Sequence, residues 1–278
     1  MSDEQHAINE RIASHLPTHA WQSTVPVVVA DRPKVHQIGS ATLYQLAGVH
    51  FIVTAGHLVE AAVEQGKTIG IATGAGNSLV SLDGGGWVKA DHEAYDLAVH
   101  RLNDERLAQL SHMRFLRLSD ITSDEPGPTA VYTICGYPAI WSESSTEERT
   151  GWVKPLELTT YAYDGPPLAG YSEPHHLLLS CDSEELSDLD GTPMEVRDKH
   201  HQPVRLPIGL RGVSGCSVWH IGDLAVDIER WPPARVAGIQ NRAYQASGAV
   251  RATRWAAVNT LISKAFPELR PVLQLWLR

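Results

Sequence analysis

The chain has 278 residues, 43% of them hydrophobic and 20% charged, with a formal net charge of −9. That length holds one large domain or two small ones around a real core, and the composition is that of a globular protein. A negative charge of this size excludes a general phosphate-backbone binder, and three scattered cysteines (Cys135, Cys181, Cys216) with no C-x-x-C pair exclude a disulfide framework, a zinc knuckle and a dithiol motif.

The chain begins "MSDEQHAINERIASHLP", with no basic stretch leading into an apolar one, so no signal peptide is expected. Nor is there a run of about 18 apolar residues that would span a membrane. The expectation is a cytoplasmic chain without a membrane or nucleic-acid partner, made in a reducing compartment. Residues 3–15 read as a short amphipathic helix, with Ile8, Ile12 and Leu16 four apart and Pro17 stopping the run.

Short strands separated by turns follow: "TVPVVVA" (24–30), "IGSATLYQL" (38–46), "VHFIVTA" (49–55), "KTIGIAT" (67–73), "NSLVSL" (77–82), "GWVKA" (86–90) and "DLAVHRL" (96–102). Their alternation is imperfect, but the turn spacing is that of an all-β sandwich or barrel. "HMRFLRLSD" (112–120) closes this half, and "SDEPGP" (123–128) is the best linker. A second set comprises "AVYTICGYP" (130–138), "GWVKPLELTTYAY" (151–163), "HHLLLSCD" (175–182), "CSVWHIG" (216–222) and "ARVAGIQN" (234–241). The acid-rich stretch 182–206 reads as a surface loop. Residues 253–266 carry helical periodicity through Trp255, Val258, Leu261 and Ile262, up to Pro267.

In "RGVSGCSVWH" (211–220), a serine lies between Gly212 and Gly215 ahead of an apolar run. On its own this is a glycine turn. A serine hydroxyl becomes a nucleophile only with a histidine base in reach, a third group orienting that base, and donors for the oxyanion. Of 14 histidines, His57 has the most suitable setting: an apolar strand, then Thr54, Ala55 and Gly56, which let a rigid strand end present an imidazole. Asp96 is the carboxylate to pair with it, because it stands directly before an apolar strand, where a buried charge needs a partner. Asp83 and Asp91 are rivals in looser surroundings.

"VTAGH", "YDLAV" and "GVSGCSVW", in that order and with the three candidates 39 and 118 positions apart, resemble the signatures of the trypsin-like (chymotrypsin-fold) serine peptidases. "IGSATLYQL", "ICGYP" (134–138) and "VAGIQN" (236–241) resemble flanking segments of that family. The resemblance covers roughly residues 25–266. It implies an all-β fold of two six-stranded antiparallel β-barrels with a short N-terminal and a C-terminal helix. The corresponding divisions are a helical extension (1–22), a barrel carrying His57 and Asp96 (23–125), a barrel carrying Ser214 (126–252), and a helix with tail (253–278).

The same resemblance implies a serine endopeptidase that needs no cofactor and acts on a protein or peptide. Ser214 attacks, His57 is the base, Asp96 orients it, and the N–H groups of Gly212 and Ser214 form the oxyanion hole. The pocket for the substrate side chain is implied around Ile208, Asn241, Arg242, Ala243 and Gly248, and Ile208 stands where trypsin has its acid, so a small or apolar preference is expected rather than Arg or Lys. Val213 stands where trypsin has the aspartate used in zymogen activation, so that route is not expected either. A cytosolic peptidase needs restraint, which points to gating by a protein partner, the 182–206 loop or the N-terminal helix. The alternative is a catalytically silent peptidase fold that serves as a binding module. No metal is expected: adjacent residues such as His175–His176 and His200–His201 point opposite ways along a strand, and "SDLDGTP" (187–193) lacks the later bidentate Glu of a calcium loop.

Overall fold

The protein is described here from a computed structural model that covers residues 10–31, 34–73, 78–82, 86–90, 95–122, 127–145, 150–182, 187 and 192–276. Its first half is a curled antiparallel sheet of seven strands: β1 (Thr24–Asp31), β2 (Lys34–Leu46), β3 (Val49–Ala55), β4 (Thr68–Thr73), β5 (Ser78–Ser81), β6 (Trp87–Lys89) and β7 (Leu97–Arg101). They are ordered β5-β4-β1-β2-β3-β7-β6. A small hairpin, β9 (Glu143–Ser145) with β10 (Thr150–Trp152), sits between strands of the second sheet in sequence. That second sheet has six strands: β8 (Ala130–Gly136), β11 (Leu156–Tyr161), β12 (His176–Ser180), β13 (Ser217–Asp223), β14 (Arg235–Tyr244) and β15 (Ala249–Arg254). Its order is β11-β8-β13-β14-β15-β12.

Local chemistry accounts for the hairpin that carries the site. Between β2 and β3 lie only Ala47 and Gly48, both at positive φ (49° and 82°), the geometry of a two-residue turn that matches strand twist. This sets Leu46 opposite Val49 and Thr42 opposite Val53. The imperfect alternation also has a cause, since the central strands are covered on both faces. Ile52 and Leu43 face one core with Val25, Val27, Val29, Ile71 and Val80. Phe51, Val53, Tyr44 and Leu46 face the opposite way, into a core shared with Trp219, Ile221, Val236 and Ile239 of the second sheet. A third core, with Ile134, Val213, Cys216, Val218 and Val250, fills the second sheet.

Short helices close the two ends. Residues 10–14 are helical (α1), the described part of the helix expected over 3–15. After it come α2 (His19–Gln22), α3 (Gly56–Glu64), α4 (Asp104–Gln109), α5 (Trp255–Ala265) and α6 (Arg270–Trp276). Ile12 and Ala20 from the N-terminal helices, with the partly buried Leu16, enter the shared core between the sheets. There His15 and His19 meet Trp231 and Trp219 edge to face, at 5.2 and 5.7 Å. Helix α5 adds Trp255, Val258, Leu261 and Ile262 to the same core, and the Tyr44 hydroxyl donates to Asn259 Oδ1 at 3.2 Å.

Three features depart from the expected pattern. The first sheet has seven strands rather than six, because both short edge segments, β5 and β6, are paired into it. β15, "AVRATR", reads as polar in sequence, yet it is buried along most of its length, Arg251 included. Pro267 ends α5 but also opens a turn of 3-10 helix that leads directly into α6, the role proline fills at a helix start. Residues 192–206 form no strand or helix beyond two isolated bridges, Ser187 with Pro193 and Arg197 with Pro203, as a loop should. The glycine-rich 74–77 and 83–85, Asp83, Asp91, most of the linker 123–128 and most of 187–193 lie outside the described residues. Among the described residues, no helix is long and apolar enough to cross a membrane.

Candidate active site

His57 is the second residue of α3, which starts where β3 stops. The first N–H groups of any helix lack internal partners, and here the N-cap residue Ala55 has no side chain to supply one. The acceptor comes from across the sheet: Asp96 Oδ1 takes the His57 backbone N–H at 2.8 Å. The other oxygen, Oδ2, lies 2.8 Å from His57 Nδ1. One carboxylate therefore caps the helix and orients the imidazole. With a carboxylate facing it, Nδ1 is the protonated nitrogen, and Nε2 is left as the base. The carboxyl is 5% exposed and the imidazole 35%, so the acid is sealed while the base reaches solvent.

Asp96 holds this pose with a left-handed backbone, φ 48°, which aspartate tolerates better than most residues. Its surroundings fix the conformation. Gly56 N–H donates to the Asp96 carbonyl at 3.0 Å. The carbonyl of Tyr95 accepts from Asn241 Nδ2 at 2.8 Å and from Thr253 Oγ1 at 2.6 Å. β14 and β15 of the second sheet thus clamp the residue just before the acid carried by the first.

The Ser214 loop is pinned to both sheets. Gly215 N–H donates to Gln240 O on β14 at 2.7 Å, and Ser40 N–H on β2 donates to Ser214 O at 2.8 Å. Ser40 Oγ donates to Gly212 O at 3.0 Å and accepts the Tyr137 N–H at 3.0 Å. A Cβ on Gly39 would lie 3.0 Å from Ser214 O and would run into Leu58 Cδ1. Ser214 and the immediate neighbour of His57 therefore approach across a glycine of β2.

Within the loop, alternate amides are used differently. Val213 N–H is bonded to Leu210 O at 2.9 Å and Cys216 N–H to Val213 O at 3.1 Å. Among the described residues, the amides of Gly212 and Ser214 have no backbone acceptor. Gly212 sits at φ 94°, and a Cβ there would lie 2.5 Å from the Ala139 nitrogen, so glycine is required for both conformation and space. Two unclaimed N–H groups on either side of a tied one, at the serine, are what a developing oxyanion needs.

The remaining sequence candidates are placed as follows. Ile208 opens the 3-10 turn Ile208–Leu210 that leads into the serine loop. Asn241 is buried, and its side chain is committed to Tyr95 O, Thr253 Oγ1 and Arg251 Nε. Arg242 and Ala243 are exposed, with the Arg242 guanidinium 5.5 Å above the Tyr244 ring. Gly248, at φ 54°, turns the chain into β15. Val213 is fully buried in the core of the second sheet. Cys216 is also fully buried, and burial pushes its thiol far above the ordinary range, which disfavours the reactive thiolate.

His175 meets Tyr95 edge to face at 5.0 Å, and His176 Nδ1 accepts the Ser172 N–H at 2.9 Å. Among the described residues, no group of three or more His, Cys, Asp or Glu is arranged to hold a metal. The contributions of Ser40, Thr253 and the Asn241 side chain escaped sequence reasoning. Their bonds join residues 172, 158 and 146 positions apart, and no local pattern signals them.

No family model matches the chain, and no curated protein matches it. One solved structure with a related trace is described as showing that aromatic interactions drive the coupled folding and binding of the intrinsically disordered Sesbania mosaic virus VPg protein. Identity is 13% and the TM-score 0.44, over 85% of this chain and 87% of that one, a likeness too distant to carry an argument.

Proposed function

We propose that the protein is a serine endopeptidase of chymotrypsin-like double-barrel type that works in the cytoplasm on a protein or peptide substrate. The observation that carries this is the His57–Asp96 pair, in which one buried carboxylate holds both the backbone and the ring of a half-exposed histidine. The unclaimed amides of Gly212 and Ser214 support it, and three free cysteines suit a reducing compartment.

In this mechanism His57 Nε2 takes the Ser214 proton as Oγ forms a bond to the scissile carbonyl carbon. The carbonyl oxygen becomes an oxyanion and accepts from Gly212 N–H and Ser214 N–H. The C–N bond then breaks as His57 returns the proton to the leaving amine, giving an acyl-enzyme. Water repeats the sequence, its proton passing to His57 and back to Ser214 as the acid product leaves. Asp96 stays ionised throughout and stabilises the imidazolium.

A fluorophosphonate probe tests the proposal. Labelling of the wild-type chain at Ser214, lost in Ser214→Ala and reduced at least about a thousandfold in His57→Ala, is expected. A folded wild-type chain that stays unlabelled would overturn it in favour of the silent binding module.

A further inference from the structure

β14 ties together the parts just described. Gln240 O holds the serine loop through Gly215 N–H, and Asn241 holds the carbonyl before Asp96. Next along the strand is Arg242, paired in register with Arg251 of β15. Arg251 is 1% exposed. Its Nε donates to Asn241 Oδ1 at 3.1 Å and its Nη1 to Gly170 O at 2.7 Å, both neutral acceptors. Among the described residues, neither Arg242 nor Arg251 has a carboxylate within ion-pair distance. A buried guanidinium without a counter-ion is costly, and a second cation beside it adds repulsion.

The two guanidinium groups also converge. A Cβ on Gly170 would lie 3.3 Å from Arg242 Nη1 and 3.3 Å from Arg251 Nη1. Gly170 has φ 73°, so the chain keeps this point free of a side chain by its backbone conformation as well. Tyr244, under the Arg242 guanidinium, donates its hydroxyl to Ala169 O at 2.7 Å and so fixes the same loop. Burial depresses the Arg251 pKa most and the neighbouring Arg242 adds to it, while Tyr244 and the Asp96 charge act the other way. Asp96 already accepts twice from His57, and Arg242 stands exposed beside Arg251.

We propose that Arg242 and Arg251 form a carboxylate subsite that selects substrates carrying an acidic side chain close to the bond that is cut. This deepens the peptidase proposal and rests on it for the word substrate. The exposed Arg242 guanidinium offers a carboxylate its fork, and the buried Arg251 adds positive charge behind it. Arg242 is two residues along β14 from Gln240, across a break in the β14–β15 register, so the span is at most the roughly 7 Å of regular strand rise. An extended peptide with its carbonyl at Ser214 covers that in about two or three residues, which sets where the acid belongs. The subsite is a local positive feature on a chain of net charge −9, so it discriminates by position rather than by drawing in acidic proteins generally.

The test uses the full chain carrying Ser214→Ala, which can hold a peptide but not cut it. Fluorescein-labelled octapeptide pools with one Glu scanned through the internal positions are compared with matching Gln pools by anisotropy. One Glu position is expected to bind at least about tenfold tighter than its Gln counterpart, an advantage that falls with added salt. Arg242→Gln, an exposed change that leaves the buried Arg251 bonds in place, should remove most of that advantage. Arg251→Lys, which keeps the buried charge, should leave more of it than Arg242→Gln does. Equal binding of the Glu and Gln pools, no binding of either, or a Glu advantage untouched by Arg242→Gln overturns the proposal. Fluorophosphonate labelling of the wild type separates the two ideas. Labelling without a Glu preference leaves the peptidase and removes the subsite, and a Glu preference without labelling does the reverse.

Discussion

Asp96→Asn replaces one carboxylate oxygen by NH₂ and tests the whole site. In the native protein one carboxylate accepts twice, from His57 N–H and from His57 Nδ1–H, each at 2.8 Å. An asparagine has a single acceptor oxygen. If that oxygen stays on the backbone N–H, its NH₂ faces Nδ1, which must then accept. The ring proton moves to Nε2, where it can no longer take the serine proton. The opposite flip would set a donor against the helix N–H, so the first arrangement is the cheaper one. Helix α3 keeps its cap, and the stability cost should be about 1 kcal/mol, a fall in Tm of roughly 2–4 °C for a chain of this size. Reactivity should fall by about 10³–10⁴, or roughly 4–5.5 kcal/mol of transition-state stabilisation. The assay is the second-order rate of fluorophosphonate labelling beside a thermal melt. A variant that melts near wild type and labels within tenfold of it would refute the assignment of Asp96 as the orienting acid.

Gly212→Ala should lower labelling by about 10²–10³ and also lower the melting temperature, because the new methyl would meet the Ala139 backbone at φ 94°; a variant matching wild type in both would contradict the loop geometry. Removing residues 1–22 strips Ile12 and Ala20 from the shared core, so a lower Tm with no gain in labelling is expected, and faster labelling by a folded truncated chain would favour the N-terminal helix as the gate. His100 has its pKa pushed down from 6.5 to about 4, first by burial and then by the Arg106 cation. The unfolded chain takes up this proton near pH 6.5 and the folded one does not, so stability falls from about pH 6.5 toward 4 and is fully present above that window. Melts across this range should show the decline, and His100→Gln should lessen it; an unchanged slope in His100→Gln would contradict the shift.

Much of the first sheet was legible because β2, β3 and their two-residue turn obey local rules. Residues 42–46 and 49–53 pair around a turn that needs positive φ. β15 was not legible, because Arg251 and Thr253 look like surface residues until the loop at Gly170 and the carbonyl of Tyr95 supply their partners. At the site, His57 and Asp96 could be singled out from their neighbours, since a charge at the mouth of an apolar strand demands a partner. Asn241 illustrates the limit. Its position pointed to a pocket wall, whereas its side chain reaches 146 residues back to hold the Tyr95 carbonyl. α6 was hidden by Pro267, which ends one helix and starts the next turn with the same ring.

The double duty of Asp96 bears on how such a site decays over evolutionary time. Substituting Ser214 removes a hydroxyl from a loop whose backbone bonds remain, so a lineage released from selection for chemistry can lose it freely. Losing Asp96 also uncaps α3, and selection for a folded chain alone would keep it. A descendant that has gone silent should therefore still carry an intact His57–Asp96 pair. Among relatives of this protein, on the proposed reading, the residue at position 214 reports on chemistry alone, and the acid at position 96 on chemistry and folding together.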